Sequence, residues 1–584
     1  MIEEFLLQVR KPARYIGKEY NAAKKDFAKS EVKFALCFPD LYEVGMSNLG
    51  IRILYGVLNN IPDVTCERFF SPALDMEGIL RQNKIEIFSL ESGRGLKDFD
   101  LVGFSLGYEL GYTNVLNILD LGLIPLRAIE RDAEFPLVIA GGPCVFNPEP
   151  MHEFFDLFVI GEAEEIILEI IGLYRELKEK FKSKRLSKEE LLILFSGIEG
   201  VYVPSLYELN YSGNGKINEF KPKFKNVPSR IKKRFVKDLN KAYFPTDWIV
   251  PYIEIVHDRI SLEIMRGCPN QCRFCQARQI YSPLRIRNKE NVLGLAARAY
   301  RKTGYEEISL AGLSVSDYPF IEGLLNSLFC SLKEKTVSIS LPSIKPNVYL
   351  GNLASLIATV KKTGLTFAPE AATEKLRQII NKDFDTDSFF RALEQAYLKG
   401  YQRVKLYFMT GLPFEREEDL DGILDFAICV SQARRKLGKP AAFINISINT
   451  MIPKPHTPFQ WLGMEDIEKM KFKGGYLRKK LKDKRMKLNF HNTYMSFLEG
   501  VLSRGDRRLA SVIELAFKKG ARFDAWDEFF IFEKWLNAFN EAGVDPAAYL
   551  AEKSIDELLP WDFIDTGTSK EILLAEYKKA IEIK

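Results

Sequence analysis

The residues of this chain best placed to do chemistry are three cysteines in one short run, Met265-Arg266-Gly267-Cys268-Pro269-Asn270-Gln271-Cys272-Arg273-Phe274-Cys275. Three residues separate the first pair and two the second, so Cys268, Cys272 and Cys275 can converge from one loop on three corners of an iron–sulfur cubane. The fourth iron is then left without a protein ligand. A structural zinc site or a closed ferredoxin-type cluster needs a fourth side chain, and the next cysteine or histidine downstream is Cys330. The chemistry on offer is redox chemistry at an iron with open coordination positions. A zinc loop, or three buried cysteines with no shared role, are the other readings that spacing alone leaves open.

The pattern Cys-x3-Cys-x-aromatic-Cys, with Phe274 in the aromatic slot, resembles the signature of the radical S-adenosylmethionine (SAM) superfamily. The resemblance implies a 4Fe-4S cluster on the three cysteines, SAM chelated to the open iron, and Phe274 packed near the adenine. It further implies reductive release of a 5′-deoxyadenosyl radical that takes hydrogen from an unactivated carbon. An external electron donor of the flavodoxin or ferredoxin type follows from the same resemblance.

A loop of this kind needs a scaffold, and the following residues alternate strand and helix. Strands are expected at Ser261–Met265, Glu307–Leu310, Val337–Leu341, Leu365–Phe367, Val404–Phe408 and Ala442–Asn449. Helices are expected at Glu290–Arg301, Phe320–Leu332, Leu353–Lys362, Ala372–Ile380, Ser388–Leu398 and Glu418–Lys436. Six strands linked by helices imply parallel pairing with right-handed crossovers and a partial (β/α)6 barrel. Chemistry in such barrels gathers at the carboxyl ends of the strands. There the sequence has Ala311-Gly312-Leu313-Ser314, Ser340-Leu341-Pro342-Ser343, Ala368-Pro369-Glu370-Ala371 and Met409-Thr410-Gly411-Leu412-Pro413. By the resemblance, Phe274, Gly312, Ser314, Ser340, Glu370, Lys405 and Gly411 are the expected SAM-binding residues. Taken singly, each polar one serves equally well as a strand-end cap or packing residue. The tract Pro453-Lys454-Pro455-His456-Thr457-Pro458-Phe459-Gln460-Trp461 reads as a rigid rim loop over the mouth. Similar Pro-Lys tracts occur in methylthiotransferases.

The N-terminal third has a different rhythm. Short apolar strands at Val32–Phe38, Leu101–Phe104, Leu137–Ala140 and Phe158–Ile160, with a helix at Asn48–Leu58, make a doubly wound (flavodoxin/Rossmann-like) sheet. Gly141-Gly142-Pro143 and Gly161-Glu162-Ala163-Glu164 follow two of these strands. They resemble the cobalamin-binding domain that precedes the radical core in one branch of the superfamily. The resemblance places cobalamin against Asp40, Tyr42, Gly45, Ser105, Gly141, Gly142, Gly161 and Glu162. Tyr42 stands where such domains often have a cobalt-ligating histidine, so cobalt bound here lacks a protein imidazole. Cys37, Cys66 and Cys144 offer a rival use of the domain, a second cluster.

The expected organisation is a cobalamin-binding-like α/β domain over residues 1–180, a β-rich connector over 181–250, the barrel over 251–470 and a mostly helical region over 471–584. Across 584 residues, 46% hydrophobic and 28% charged residues are ordinary for a folded chain. A net charge of +5 is too small to announce a nucleic-acid partner, but Lys471 to Lys487 holds nine cations against Asp483. Such a run is a solvated helix face or an RNA-facing patch. An acidic N-terminus, no long apolar stretch and unpaired cysteine spacing lead to the expectation of a cytoplasmic protein away from membranes. The expected activity is radical SAM catalysis, with cobalamin-dependent methyl transfer to an unactivated carbon. The alternatives are methylthiotransferase-like modification of RNA or protein, and a non-catalytic cluster-containing RNA-binding protein.

Overall fold

The computed structural model describes residues 4–213, 215–332, 335, 337–340, 365–382 and 384–583. The expected helix Leu353–Lys362, the end of the third barrel strand at Leu341 and the Pro342-Ser343 that follow it lie outside the described residues.

The N-terminal sheet holds β1 (Val32–Phe38), β2 (Val64–Phe70), β3 (Leu101–Ser105), β4 (Leu137–Gly141), β5 (Leu157–Val159) and β6 (Val201–Tyr202), in the order β2-β1-β3-β4-β5-β6. The first five pair in parallel and β6 runs antiparallel to β5. Near-continuous burial along β1 and β4 is what a parallel sheet covered on both faces requires. The helix Leu49–Asn59 starts where the Asn48 side chain accepts the Ile51 N–H at 3.1 Å. Strand β2 escaped the sequence pattern because Glu67 and Arg68 sit in its middle. Both are buried, and Arg68 is held by Glu19 at 2.8 Å and Glu91 at 2.6 Å.

A hairpin of β7 (Tyr207–Tyr211) and β8 (Ile217–Pro222), then β9 (Ile231–Lys232), lead to the barrel. Its first sheet pairs β10 (Ile260–Glu263), β13 (Glu307–Ala311) and β14 (Ser338–Ser340) in parallel. Between β10 and β13 a short antiparallel pair, β11 (Met265–Arg266) and β12 (Arg285–Ile286), flanks the cysteine loop. The second sheet runs β15 (Leu365–Glu370), β16 (Arg403–Thr410), β17 (Phe443–Thr450) and β18 (Met486–Phe490), again parallel. Along β16, Val404, Leu406 and Phe408 are buried against the outer helices while Lys405, Tyr407 and Met409 take the other face.

Strand β18 adds one strand beyond the six expected, and the chain from residue 471 is otherwise mainly helical, as expected. The strand's alternation of Met486, Leu488 and Phe490 with Lys487 and Asn489 is short, and it follows directly on the cationic run, which masks it. The Pro453–Trp461 tract is not a rim loop. All but Lys454 of it is buried, where the proteinaceous walls of three regions meet. His456 donates from Nε2 to Phe146 O at 2.7 Å, Gln460 Oε1 accepts the Trp561 indole N–H at 2.7 Å, and the fully buried Arg504 donates to the carbonyls of Pro453, Gln460, Tyr549 and Ala551. Downstream, β19 (Ile564–Asp565) returns to pair with β9. Among the described residues no helix is long and apolar enough to cross a membrane.

Candidate active site

The cysteine loop leaves β11 through Gly267, whose φ of +89° and whose Cβ position, 2.8 Å from the carbonyl oxygens of Tyr281 and Pro283, admit only glycine. Arg273 pins the loop from the other side. Its backbone N–H donates to Ile380 O at 2.9 Å, its guanidinium to Gln378 O and Ile379 O at 2.8 Å, and its Nε to Glu576 at 3.1 Å. Asn381 adds a bond to Gln271 O at 2.9 Å. Phe274 packs on the apolar cluster of Ala371, Ile379, Leu412 and Met451 at the mouth of the second sheet.

The three thiols are partly exposed and lie near enough to influence one another's titration. Burial pushes Cys272 up to about 11, with its two sister cysteines adding to the rise and Lys382 opposing it. Cys275 is raised for the same first reason. The Cys272 and Cys275 thiols therefore stay protonated at neutral pH until a metal displaces the protons. No three cysteine, histidine or carboxylate side chains among the described residues close on one point as a single ion requires.

Of the expected SAM-binding residues, Gly312 lies against the cysteine loop, its Cβ position 2.8 Å from Met265 Cγ. Ser314 donates to Asp317 at 2.7 Å; Asp317 accepts the Asn270 amide at 2.9 Å, and that amide also reaches Cys268 Sγ at 3.3 Å. Asn270 and Asp317 were missed because neither belongs to a strand-end motif. Glu370 ends β15 at φ +67°, beside a register shift, 3.9 Å from Lys382. Burial raises its carboxyl and Lys382 lowers it. Lys382, close to both Glu370 and Cys272, was also unforeseen. Ser340 Oγ is buried without a hydrogen-bond partner among the described residues. Gly411, at φ +81°, donates to Glu415 at 2.9 Å. Lys405 stands apart. It lies near the amino end of β16 with its ammonium 4.5 Å over the Tyr407 ring, far from the strand end where the others gather.

Between the carboxyl edge of the N-terminal sheet and the ends of β10 and β13 lies a cavity of about 510 Å³. Ser105, Gly107, Gly141, Gly142, Gly161 and Glu162 wall one side; Met265, Arg266, Gly267 and Gly312 wall the other. A Cβ at Gly107 would meet nothing within 4 Å, and one at Gly141 only Val159 at 4.0 Å, so both leave open space at the sheet edge. Asp40, Tyr42 and Gly45 do not reach this wall. Tyr42 turns to Glu19 at 2.9 Å, Gly45 is packed under Phe70, and Asp40 accepts the Trp526 indole N–H at 3.0 Å. Glu162 reaches the wall but is committed to Arg285 at 2.7 Å and Arg266 at 2.9 Å. Arg266 also binds Glu164 at 2.7 Å and Glu263 at 2.9 Å, so one guanidinium ties the N-terminal domain to the residue next to Gly267-Cys268. Cys37 and Cys66 lie on neighbouring strands three register rows apart, and Cys144 follows β4; all three are buried with thiols raised by burial.

Residues 262–427 match the family model described as the radical SAM superfamily, and residues 50–204 that described as radical SAM proteins, N-terminal. An uncharacterised protein of Methanocaldococcus jannaschii, MJ0966, is 28% identical over 513 residues, covering 87% of this chain and 97% of that one. The ribosomal protein uS12 methylthiotransferase RimO of Pelotomaculum thermopropionicum is 26% identical over 198 residues, 32% of this chain and 43% of its own. Among solved structures, the chain is similar to the cobalamin-dependent radical enzyme OxsB (15% identity, 94% and 79% covered, TM-score 0.47) and to the methyltransferase TsrM of Kitasatospora setae (12%, 72% and 75%, TM-score 0.46). The chain belongs to the radical SAM superfamily and is an enzyme of that class. Its cofactors on that ground are a 4Fe-4S cluster and SAM.

Proposed function

We propose that this chain is a cobalamin-dependent radical SAM methyltransferase acting on an unactivated carbon. The observation that carries the reading is the cavity joining the glycine edge of the N-terminal sheet to Met265, Arg266 and Gly312 beside the cysteine loop. The cluster, when bound, supplies an electron to the SAM sulfonium, and cobalamin supplies a methyl group to the substrate carbon.

The chain's own residues prepare both sites. Cys268, Cys272 and Cys275 would hold the cluster, and the Asn270 amide draws charge from the Cys268 sulfur. Glu370 and Lys382 present an acceptor and a donor set beside Cys272, suited to the hydroxyl, amino and carboxylate groups of SAM. Ser105, Gly141, Gly142 and Gly161 would bound the corrin, Gly141 without filling its space. Arg266, bound to Glu162 and Glu164, fixes the distance between the two. Among the described residues no imidazole lines the cavity, so cobalt would go without one.

The test is anaerobic reconstitution with iron, sulfide and hydroxocobalamin, followed by gel filtration and incubation with methyl-labelled SAM and dithionite. Stoichiometric cobalt, about four irons per chain and release of 5′-deoxyadenosine are expected. Cobalt-free protein with an intact cluster overturns the cobalamin assignment. Iron near eight per chain, with label carried as a methylthio group, would instead favour the RimO-like chemistry. The RNA or protein nature of the substrate, and a flavodoxin- or ferredoxin-type electron donor, belong to the same proposal.

A further inference from the structure

The cationic run that stood out in the sequence is not used by the cluster loop or the cavity, and the fold gathers it on one flank of the barrel. The helix Ile467–Lys480 packs beside the edge strand β18. Several of its cations are satisfied: Lys473 by Glu415 and Glu465, Lys480 by Asp421. Arg478, Lys479, Lys482, Lys484 and Lys487 are exposed and form no ion pair among the described residues. Aromatic faces lie among them. Arg478 stacks 4.4 Å over the Phe490 ring, and Phe472 is 60% exposed.

This flank leads to the barrel mouth. A concavity of about 340 Å³ sits at the carboxyl ends of β16, β17 and β18, against Thr410, Thr450 and Phe490. Lys471 and Arg478 from the helix and His491 after β18 line it. Spaced cations that track a phosphate chain, interleaved with aromatic faces for unstacked bases, form the usual apparatus for a single strand of nucleic acid. A flat anionic membrane would call for an apolar wedge in place of a concave polar pocket.

We infer that the helix Ile467–Lys480 and β18 form a binding flank for single-stranded RNA and deliver it to the strand ends of the barrel. The flank's role as the substrate's approach rests on the enzymatic reading above; its binding of RNA does not. Single-stranded contacts contribute about 0.7 each to the salt slope of log K, so the five free cations correspond to a slope of about −3.5.

The experiment measures anisotropy of a labelled oligouridylate with the full chain across a salt series. It compares wild type with the triple variant Lys482→Gln, Lys484→Gln, Lys487→Gln. The expected result is salt-sensitive binding whose slope falls by about 2 in the variant, from three contacts at about 0.7 each. Formation of 5′-deoxyadenosine without substrate should stay at the wild-type rate. Failure of wild type to bind, an unchanged slope, or binding to phosphatidylglycerol vesicles in place of RNA overturns the inference. Phe472→Ser, at a side chain 60% exposed, provides the second variant and should weaken binding several-fold through lost stacking; no loss counts against the inference. RNA binding without 5′-deoxyadenosine formation leaves this inference standing and removes the enzymatic one.

Discussion

Arg266 is the residue whose removal should separate the two halves of the site, and Arg266→Met tests it. Its guanidinium is nearly buried and meets Glu162, Glu164 and Glu263 at 2.7–2.9 Å. Taking away one partner of a buried charge cluster costs about 3–5 kcal/mol. Glu162 retains Arg285 at 2.7 Å and Glu263 retains Arg287 at 3.9 Å, whereas Glu164 keeps no cation among the described residues. The low end, about 3 kcal/mol, is therefore expected, and it falls on local opening between the domains. That corresponds to roughly 100-fold faster hydrogen exchange, rising together in residues 160–165 and 264–268. Cluster retention through gel filtration should fall in step. Adding Glu164→Gln to Arg266→Met should recover part of the loss, because the orphaned carboxylate is then neutral. Exchange that rises on one side only, or less than about threefold, would refute the claim that this guanidinium couples the domain to the cysteine loop.

Gly267→Ala should abolish cluster binding while leaving far-ultraviolet circular dichroism unchanged, since a Cβ there meets two carbonyl oxygens at 2.8 Å. Burial lowers the His456 imidazole to about 4, against an ordinary value near 6.5. The folded state then binds fewer protons than the unfolded one, so stability falls as pH drops from about 6.5 to 4, by about 3 kcal/mol. His456→Gln should flatten that part of the pH dependence of the thermal midpoint. In Glu162, burial pushes the carboxyl up, but hydrogen bonding to Arg285 and the charges of Arg266 and Arg285 outweigh it and hold it low. That stabilisation is present above the unfolded value and is lost as pH falls through the folded one, which exchange over residues 160–165 should register. Lys454→Met leaves Glu109 and Glu499, each 2.8 Å from the ammonium, without their shared cation; a lowered thermal midpoint from a loss of about 3–5 kcal/mol is expected.

What the sequence made legible is what depends on local spacing. The cysteine triad, the βα alternation and the glycine turns after β4 and β5 are written in neighbouring residues, and the strands expected from apolar periodicity overlap those observed, with ends displaced by up to three residues. Strand β2 was hidden because its charges are neutralised by partners far along the chain, as Arg68 is by Glu19 and Glu91, and β18 because it is short and follows a cationic run. Distant partners also decide what two of the expected site residues bind. Tyr42 carries the spacing of a ligand, but a hydroxyl buried beside Glu19 finds its bond there. Glu162 occupies a glycine-turn motif, yet two arginines from the barrel claim it. Asn270, Asp317 and Lys382 acquire their roles only when β13 and the helix after β15 are brought to the loop, and no local pattern marks that approach.

The contact between Arg273 and Glu576 spans 303 residues of chain. A ribosome working at about 5–20 residues per second needs roughly 15–60 s to cover that interval, during which the nascent thiols hang outside the tunnel without their final brace. The loop's last brace is thus set only when the C-terminal helix has been made, long after the bonds from Gln378, Ile379 and Ile380 are within reach.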